Sequence, residues 1–177
     1  MDERTHNLID ECRRQGESCL YTSTSLFEWL KYLRFWKTVF VVAPIILGGL
    51  ATWPLLLHQD AYKWLAAVFA LFAGFSTALY KALEFDISLS AVAKHAHEFK
   101  ILQDRFRQAH RITALGPFAE FKKEFDDLMA RMDTVRGISI TPPERFFRDA
   151  QTKIAAGHYD FVVDANSEAR GTTLTPQ

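Results

Sequence analysis

Two long stretches without a charged side chain constrain this chain more than any other feature of its sequence. The first runs from Thr38 to Leu57 and the second from Trp64 to Tyr80. A helix of about 20 apolar residues crosses the roughly 30 Å of hydrocarbon in a bilayer, and about 17 residues lie at the lower end of the spanning range. We therefore predict two transmembrane helices, at 38–57 and 64–80, joined by an external loop at 58–63.

Buried helices of a soluble bundle are the alternative interpretation of these stretches. Neither stretch has the polar stripe that an amphipathic soluble helix keeps. Aromatic side chains with polar groups also stand near the ends of both stretches, as in the interfacial belts of membrane helices. These belt residues are Trp36, Trp53, Trp64 and Tyr80. The pattern favours membrane lipid as the surroundings of both stretches.

The basic residues that flank the two spans predict their orientation. The loop between the spans offers only Lys63, and cytoplasmic flanks carry the excess of Lys and Arg. Because the N-terminal end is polar and charged, we expect an uncleaved anchor with both termini in the cytoplasm. The flanking residues on that side are Lys31, Arg34, Lys37 and Lys81.

Residues 1–37 are predicted to form N-terminal cytoplasmic helices that lead into the membrane. Ser25 and Glu28 have capping-box spacing, which predicts a helix start at Ser25, after a short amphipathic helix within residues 2–20. Cys12 and Cys19 stand two helical turns apart, about 10 Å, which is too far for a disulfide. We expect two free thiols.

Residues 81–157 are predicted to form a cytoplasmic helical region. Apolar residues recur at steps of three and four before and after a break at Gly116 and Pro117, which predicts two helices paired as an antiparallel hairpin. A third helix is predicted to begin at Thr141. Residues 158–177 are expected to contain a short extended segment and a disordered tail. The fold class is therefore all-α: an integral membrane two-helix hairpin with an N-terminal helix and a C-terminal cytoplasmic helical bundle.

Charge and spacing argue against nucleic-acid binding and catalysis. The chain carries 21 basic and 21 acidic side chains, so it has no overall field that would attract nucleic acid. The best candidate for a metal site is formed by His95, His97 and Glu98, with His110 further along. Residues two apart on a helix diverge, so His95 and His97 cannot share a metal ion. We predict no enzyme, and no catalytic, cofactor-binding or metal-binding residue.

The second span has a small side chain at every fourth position. In lipid, small residues let helix backbones approach closely, and this packing drives helix association. The partner is either the other helix of the hairpin or the same helix of a neighbouring subunit, and we expect a homo-oligomer. The predicted transmembrane packing residues are Ala66, Ala70, Gly74 and Ala78.

Other residues of the spans predict a hinge and a polar path. Proline and glycine loosen a helix, although both are also tolerated in membrane helices without a role. The predicted hinge comprises Pro44, Gly48 and Gly49. Hydroxyl groups are the polar groups in the spans that could line a pore, and they belong to Thr38, Thr52, Ser76 and Thr77.

The order of these segments resembles the SLATT family, the SMODS and SLOG-associating two-transmembrane effector domains of bacterial conflict systems. The segments that carry the resemblance are "YLRFWKTVFVVAPIILGGLAT", "GFSTALYKALEFDISLSAVAKHAHEFKILQDRFR" and "FDDLMARMDTVRGISITPPERFF". The resemblance implies an oligomeric effector of the bacterial inner membrane that depolarises it in anti-phage abortive infection. It implies a nucleotide second messenger or a sensor protein as the trigger. The alternative is a non-conducting membrane anchor or scaffold whose cytoplasmic helices recruit a partner protein.

Overall fold

The computed structural model describes residues 2–56, 63–82, 85–138 and 140–159 of the chain. These residues form five α-helices and one 3-10 turn at Thr113–Leu115, and no strand occurs among them, which confirms the all-α prediction. The helices are α1 (Glu3–Leu56), α2 (Lys63–Ala82), α3 (Phe85–Arg111), α4 (Phe118–Ile138) and α5 (Glu144–Ala155).

Helix α1 is continuous over 54 residues, a length of about 80 Å. The prediction of a helix start at Ser25 is therefore wrong. The Ser25 hydroxyl donates to the Thr22 carbonyl at 2.8 Å instead of capping a helix, and Ser25 is buried. Helices α3, α4 and α5 all pack against α1, so burial of this segment outweighs the local start signal.

Helices α3 and α4 pack beside the first half of α1, and their chain directions are opposite to each other. Gly16 lies beside Phe106, and the Phe27 and His97 rings are 5.3 Å apart, so α3 is antiparallel to α1. Leu8 and Phe125 border one groove, whereas Cys19 Sγ lies 3.6 Å from Met132 Sδ, so α4 is parallel to α1.

The core lies where α1, α3 and α4 meet. The apolar rhythm of α3 and α4 predicts most of its members, because the residues three and four apart in that rhythm face α1. We call residues 3–30 of α1 together with α3, α4 and α5 the bundle. Its largest fully buried apolar side chains are Phe106, Phe121, Leu26, Leu102, Met132 and Val92.

The break between α3 and α4 is confirmed. Helix α3 ends at Arg111 and α4 begins at Phe118. The Pro117 carbonyl accepts the backbone N–H groups of Glu120 and Phe121 at 3.0 and 3.2 Å, as expected for the residue that precedes a helix. The chain therefore reverses within a few residues, and α3 and α4 form the predicted antiparallel pair.

Helix α5 begins at Glu144 and not at Thr141 as predicted. Pro143 precedes the helix and its carbonyl accepts the Phe146 N–H at 3.0 Å, but no side chain caps the helix. The backbone at Pro143 is extended (φ −57°, ψ 144°), so the helix begins only after Pro142 and Pro143.

Helix α5 lies across α1. Phe147 packs on Tyr21, whereas its neighbour Phe146 packs on Tyr32, with ring centroids 6.2 and 5.5 Å apart. Tyr21 and Tyr32 are about 16 Å apart along α1, so adjacent residues of α5 reach them only if α5 crosses the axis of α1.

Helix α2 packs against the C-terminal part of α1. Only six residues separate the two helices, so the chain reverses direction between them. We call residues 38–56 of α1 together with α2 the apolar hairpin. Leu57 and most of the predicted loop at 58–63 lie outside the described residues. His158 and Tyr159 form part of a turn, and the rest of the predicted extended segment and tail also lies outside them.

Both cysteines are buried free thiols, as predicted. Burial raises the pKa of Cys12 to about 12, and the negative charges of Glu124 and Glu11 add to that effect. Burial also raises the pKa of Cys19 to about 11, against a smaller opposing effect of Arg136. Because the thiolate is the reactive form, neither thiol is activated.

We expect both thiols of the folded protein to resist iodoacetamide at pH 8. Their raised pKa values lower the thiolate fraction, so alkylation proceeds roughly 100-fold or more slowly than in the unfolded chain. Mass spectrometry of timed samples measures the rate, with guanidinium-unfolded protein as the control. Rapid alkylation of either folded thiol would contradict the buried placement of that cysteine.

Glu28 joins α5 to α1. Its carboxylate lies 2.6 Å from Lys153 Nζ of α5 and 2.6 Å from Lys31 Nζ, and its side chain is 12% exposed. Burial raises the pKa of Glu28, but the hydrogen bonds from Lys153 and Lys31 outweigh that effect and bring the pKa below its ordinary value of 4.5. The ion pair therefore stabilises the fold fully above pH 4.5, and this contribution is lost as the pH falls through the lowered pKa.

The Glu28→Gln variant tests this contact. We expect a loss of about 1–2 kcal/mol in the free energy of unfolding at pH 7, because a partly buried charged hydrogen-bond acceptor is removed. Denaturant titrations between pH 7 and 3 provide the measurement, and the difference from the wild type should shrink below pH 4.5. Glu144→Gln is the matched control, since the pair of Glu144 with Arg148 is exposed and 3.7 Å long. A difference that stays constant with pH would count against the ion pair.

Candidate membrane hairpin

The apolar hairpin lies outside the core of the bundle. None of the most apolar 18-residue window of α1 is buried, and only 6% of the corresponding window of α2 is buried. Both helices are long and apolar enough to cross a membrane by length and composition. The core helix of a soluble protein is mostly buried, in contrast to these windows. The exposed large side chains are Val41, Val42, Ile45, Ile46, Leu50, Trp53, Trp64, Leu71, Phe72 and Phe75.

The degree of exposure is unequal on the two faces of each helix. On α1, Ala43, Leu47 and Ala51 recur at steps of four and are partly buried, whereas Ile45 is 71% exposed. On α2, Phe69, Ala73 and Ser76 are partly buried, and Leu71 is 72% exposed. Steps of three and four keep residues on one helix face. The inner faces of the hairpin therefore combine small and large side chains, the outer face of α1 is mainly large and apolar, and the exposed side of α2 carries both large and small residues.

The small residues of α2 are mostly not used by the contact with α1. Ala66 is partly buried, but Ala70, Gly74 and Ala78 are exposed. A Cβ atom added at Gly74 would meet no other atom within 4 Å. We call Ala70, Gly74, Thr77 and Ala78 the open ridge, because steps of three and four place them on adjoining positions of one face. The intramolecular contact thus leaves most of the predicted packing surface uncovered.

Each hydroxyl group predicted to line a pore bonds to the carbonyl of its own helix. The hydroxyls of Thr38, Thr52, Ser76 and Thr77 donate to the carbonyls of Arg34, Gly49, Phe72 and Ala73 at 3.0, 2.7, 2.8 and 3.2 Å. This arrangement satisfies a hydroxyl donor where water is absent. The side chains of Thr38, Thr52 and Thr77 are exposed, and that of Ser76 is partly buried. The single hairpin therefore does not gather the four hydroxyls into one polar path.

Helix α1 continues through the predicted hinge. Pro44 lies on the partly buried face toward α2, and Gly48 lies one turn further on the same side. Gly49 is exposed, and a Cβ atom at Gly48 or Gly49 would meet nothing within 4 Å. Proline has no backbone N–H, so one hydrogen bond of the helix is missing at Pro44. The missing hydrogen bond and the two glycines therefore lower the resistance of α1 to bending in this region.

The four belt residues have two different environments. Trp53 and Trp64 are 64% and 62% exposed. Tyr80 is partly buried, and Trp36 lies in a cluster of rings in which its centroid is 6.0 Å from Tyr32 and 5.9 Å from Phe40. Trp36 therefore packs against other rings of its own helix, at the position predicted for the belt.

A contact between α5 and α1 at this junction was not predicted from the sequence. The Arg145 guanidinium lies 4.3 Å from the centre of the Tyr32 ring and 4.5 Å from that of Phe146, which is cation–π geometry. The hydrogen bond from Arg145 lowers the pKa of Tyr32. Together with the Glu28–Lys153 pair, this contact attaches α5 to the last turns of α1 before the first apolar stretch. The periodicity of a single helix does not indicate which other helix crosses it, or where.

The histidines considered for a metal site are separated in the structure. His97 contacts Phe27, Glu98 accepts a hydrogen bond from Arg131 at 2.8 Å, and His110 Nδ1 lies 3.0 Å from the Phe106 carbonyl. Among the described residues, no group of three or more His, Cys, Asp or Glu side chains has an arrangement that could hold a metal ion. His97, Glu98 and His110 have structural partners instead.

Comparisons of the chain with protein-family models, with curated proteins and with solved structures find no match.

Proposed function

We propose that the chain is a protein of the bacterial inner membrane that crosses the bilayer twice, with the bundle and both termini in the cytoplasm. The low burial of the two apolar windows supports this placement, since water would be in contact with many large apolar side chains otherwise. The basic residues Lys31, Arg34, Lys37 and Lys81 then lie at the cytoplasmic surface, where anionic lipids attract them. Trp53 and Trp64 lie at the opposite surface.

The proposed function is that of an oligomeric effector that depolarises the membrane in an anti-phage abortive-infection system. The open ridge of α2 is the observation that carries this proposal. Lipid offers little driving force for helix association except close packing, and an uncovered row of small residues provides it. A second copy of the chain is the partner that would use this ridge. The resemblance to SLATT proteins supports the effector role and a nucleotide second messenger or sensor protein as the trigger.

The proposed ion path forms between hairpins of different subunits. Thr38 and Thr52 are both on the outer side of α1, and Thr77 is part of the open ridge, so assembly can bring their hydroxyls together. Ser76 is on the inner side and reaches the path only if α1 and α2 move apart. Bending at Pro44, Gly48 and Gly49 would provide that movement, because α1 lacks a backbone hydrogen bond at Pro44.

A non-conducting scaffold that recruits a partner protein is the second candidate. Exposed apolar side chains at the far end of the bundle favour it: Ile112 is 62% exposed and Leu115 is 81% exposed, both at the turn between α3 and α4. Such side chains are a common feature of protein–protein contacts. A scaffold would bind a partner here without ion flux.

The Gly74→Leu variant tests the role of the open ridge in assembly. Because a Cβ atom added at Gly74 would meet nothing within 4 Å, the substitution should leave the monomer intact. It should weaken association in detergent by about tenfold or more, since it blocks close approach of two helices. Mass photometry or analytical ultracentrifugation over a range of detergent-to-protein ratios measures the effect.

Gly49→Leu is the matched control for this experiment. Gly49 is equally open but lies among large outer residues such as Ile45, Ile46 and Trp53, which already prevent close approach. This control should retain the wild-type oligomer mass. If the wild type, Gly74→Leu and Gly49→Leu had equal oligomer masses, the open ridge would not be the surface through which the subunits assemble.

Ion flux from liposomes separates the effector from the scaffold. Purified wild-type protein should dissipate a potassium gradient across the liposome membrane. Pro44→Ala should slow the potassium flux, because it restores the missing helix hydrogen bond, and it should leave the oligomer mass unchanged. A potential-sensitive dye measures the flux, and empty liposomes provide the baseline. The scaffold would be favoured if liposomes with wild-type protein showed no more potassium flux than empty liposomes and a partner protein bound to the bundle.

A further inference from the structure

The face of α1 that contacts α5 continues into the exposed apolar face of the hairpin. Glu28 pairs with Lys153 of α5, and Phe35 follows Glu28 after seven residues. Two helical turns bring a residue back to nearly the same direction. The exposed members of this face, which we call the outer stripe, follow one another at steps of seven, four and seven: Phe35, Val42, Ile46 and Trp53.

Helix α5 lies just below the outer stripe, on the cytoplasmic side in the proposed orientation. Tyr32, which contacts α5, stands six residues before Thr38, or about 9 Å along α1. The polar layer on each side of a bilayer is about 5–8 Å thick. A tilt of α1 brings Tyr32 closer to this layer. The part of α5 beside Tyr32 therefore borders the headgroups of lipids that cover the outer stripe.

One side of α5 faces the apolar hairpin. Phe147 packs on Tyr21, whereas the Arg145 guanidinium lies 4.3 Å from the centre of the Tyr32 ring. Because Tyr32 is closer to the hairpin than Tyr21, the side of α5 that carries Arg145 is the side toward the hairpin. Asp149 follows Arg145 after one helical turn and shares that side. A cation and an anion therefore stand next to each other at the level of the headgroups.

Arg145 keeps hydrogen-bond donors for a ligand. Its guanidinium lies over the rings of Tyr32 and Phe146, and it donates a hydrogen bond to Tyr32. A guanidinium has five N–H donors. In the part of the chain that the structure describes, Arg145 has no carboxylate partner, and its side chain is exposed. The two rings therefore orient the guanidinium while its other donors face the surroundings.

Asp149 is the exposed acidic side chain beside Arg145. Because the guanidinium is turned toward the rings, the two residues form no ion pair with each other within the described residues. This side of α5 thus presents a donor group and an acceptor group one turn apart. The other charged side chains of α5 have partners of their own in the pairs Arg148–Glu144 and Lys153–Glu28.

We propose that this side of α5 binds the headgroup of an ethanolamine phospholipid whose acyl chains lie along the outer stripe. The phosphate oxygens accept hydrogen bonds from Arg145, and the primary ammonium donates to Asp149, so opposite charges meet at both positions. Side chains four apart on a helix have Cβ atoms about 5–6 Å apart, which suits the short link between phosphate and ammonium. The inference rests on the membrane placement of the proposed function and identifies one lipid that contacts the chain.

A soluble phosphate ester shares the phosphate chemistry but uses only part of this site. It has no acyl chains for the outer stripe, where Phe35 and Trp53 are 61% and 64% exposed. Contact of acyl chains with these side chains adds apolar burial to the headgroup contacts. The occupant is therefore a lipid.

Native mass spectrometry of the full-length protein in uncharged detergent measures the binding of single lipids. Phosphatidylethanolamine should bind about fivefold more tightly than phosphatidylcholine, because a primary ammonium donates hydrogen bonds and a quaternary one does not. Arg145→Gln should weaken both lipids about fivefold, and Asp149→Asn should abolish the preference for ethanolamine. Equal affinity of the wild type for the two lipids, or unchanged affinity in Arg145→Gln, would overturn the proposal.

Arg34→Gln is the matched control. Arg34 is exposed at a similar depth, but it stands two residues after Tyr32 and so points to a different side of α1. It should retain wild-type affinity for both lipids, and a loss as large as that of Arg145→Gln would reduce the effect to general charge and refute the site.

Arg145→Lys separates the headgroup contact from a structural role of Arg145 in holding α5. Lysine keeps a positive charge that can bind phosphate, so most of the affinity should remain. A loss as large as that of Arg145→Gln would assign the effect to displacement of α5 and refute the headgroup contact. Circular dichroism establishes that each variant is folded.

Two further measurements identify which part of the argument fails if one does. Glycerophosphoethanolamine, the headgroup without acyl chains, should not displace the lipid at equal concentration, and full displacement would identify a soluble occupant and refute the lipid. Flotation with phosphatidylcholine vesicles tests the membrane placement itself. A wild-type protein that does not float refutes the proposed function, whereas one that floats but binds both lipids equally refutes the ethanolamine site alone.

Discussion

The continuity of α1 as a single helix is the constraint on which the other contacts depend. Residues 3–32 of α1 are in contact with α3, α4 and α5, and residues 38–56 pack against α2 along one face. A helix satisfies its backbone polar groups internally, so the same element can pass from a polar to an apolar environment without a break.

Along α1, the change from the part covered by the bundle to the part with exposed apolar side chains takes place within a few turns. Glu28 is held between two lysines, and one turn later Arg145 covers the Tyr32 ring. Beyond Lys37 the charges end and large aliphatic side chains become exposed. Charged and aromatic groups at this level suit a bundle surface in water and, in the proposed membrane placement, the boundary of the lipid phase. Helix α5 strengthens the transition because it crosses α1 at this level.

The two ends of the molecule have different chemistry but share α1. One end has a groove lined by side chains of both charges, and the other has an open ridge of small residues with internally bonded hydroxyls.

The sequence by itself determined the helical class, the extent of the two apolar stretches, the break at Gly116 and Pro117, and most core positions of α3 and α4, because these follow from periodicity and from the backbone chemistry of proline and glycine. It misplaced the helix starts at Ser25 and Thr141, where local capping signals competed with burial and with extended backbone. Only the tertiary structure decided that α1 is one helix, that α5 crosses it, and that Arg145 lies over the Tyr32 ring. These features depend on contacts between residues far apart in the chain, and local patterns contain no information about which distant surfaces meet. The open ridge could be defined only from sequence and structure together. The spacing identified the small residues, and the packing of α2 on α1 determined which of them remained uncovered.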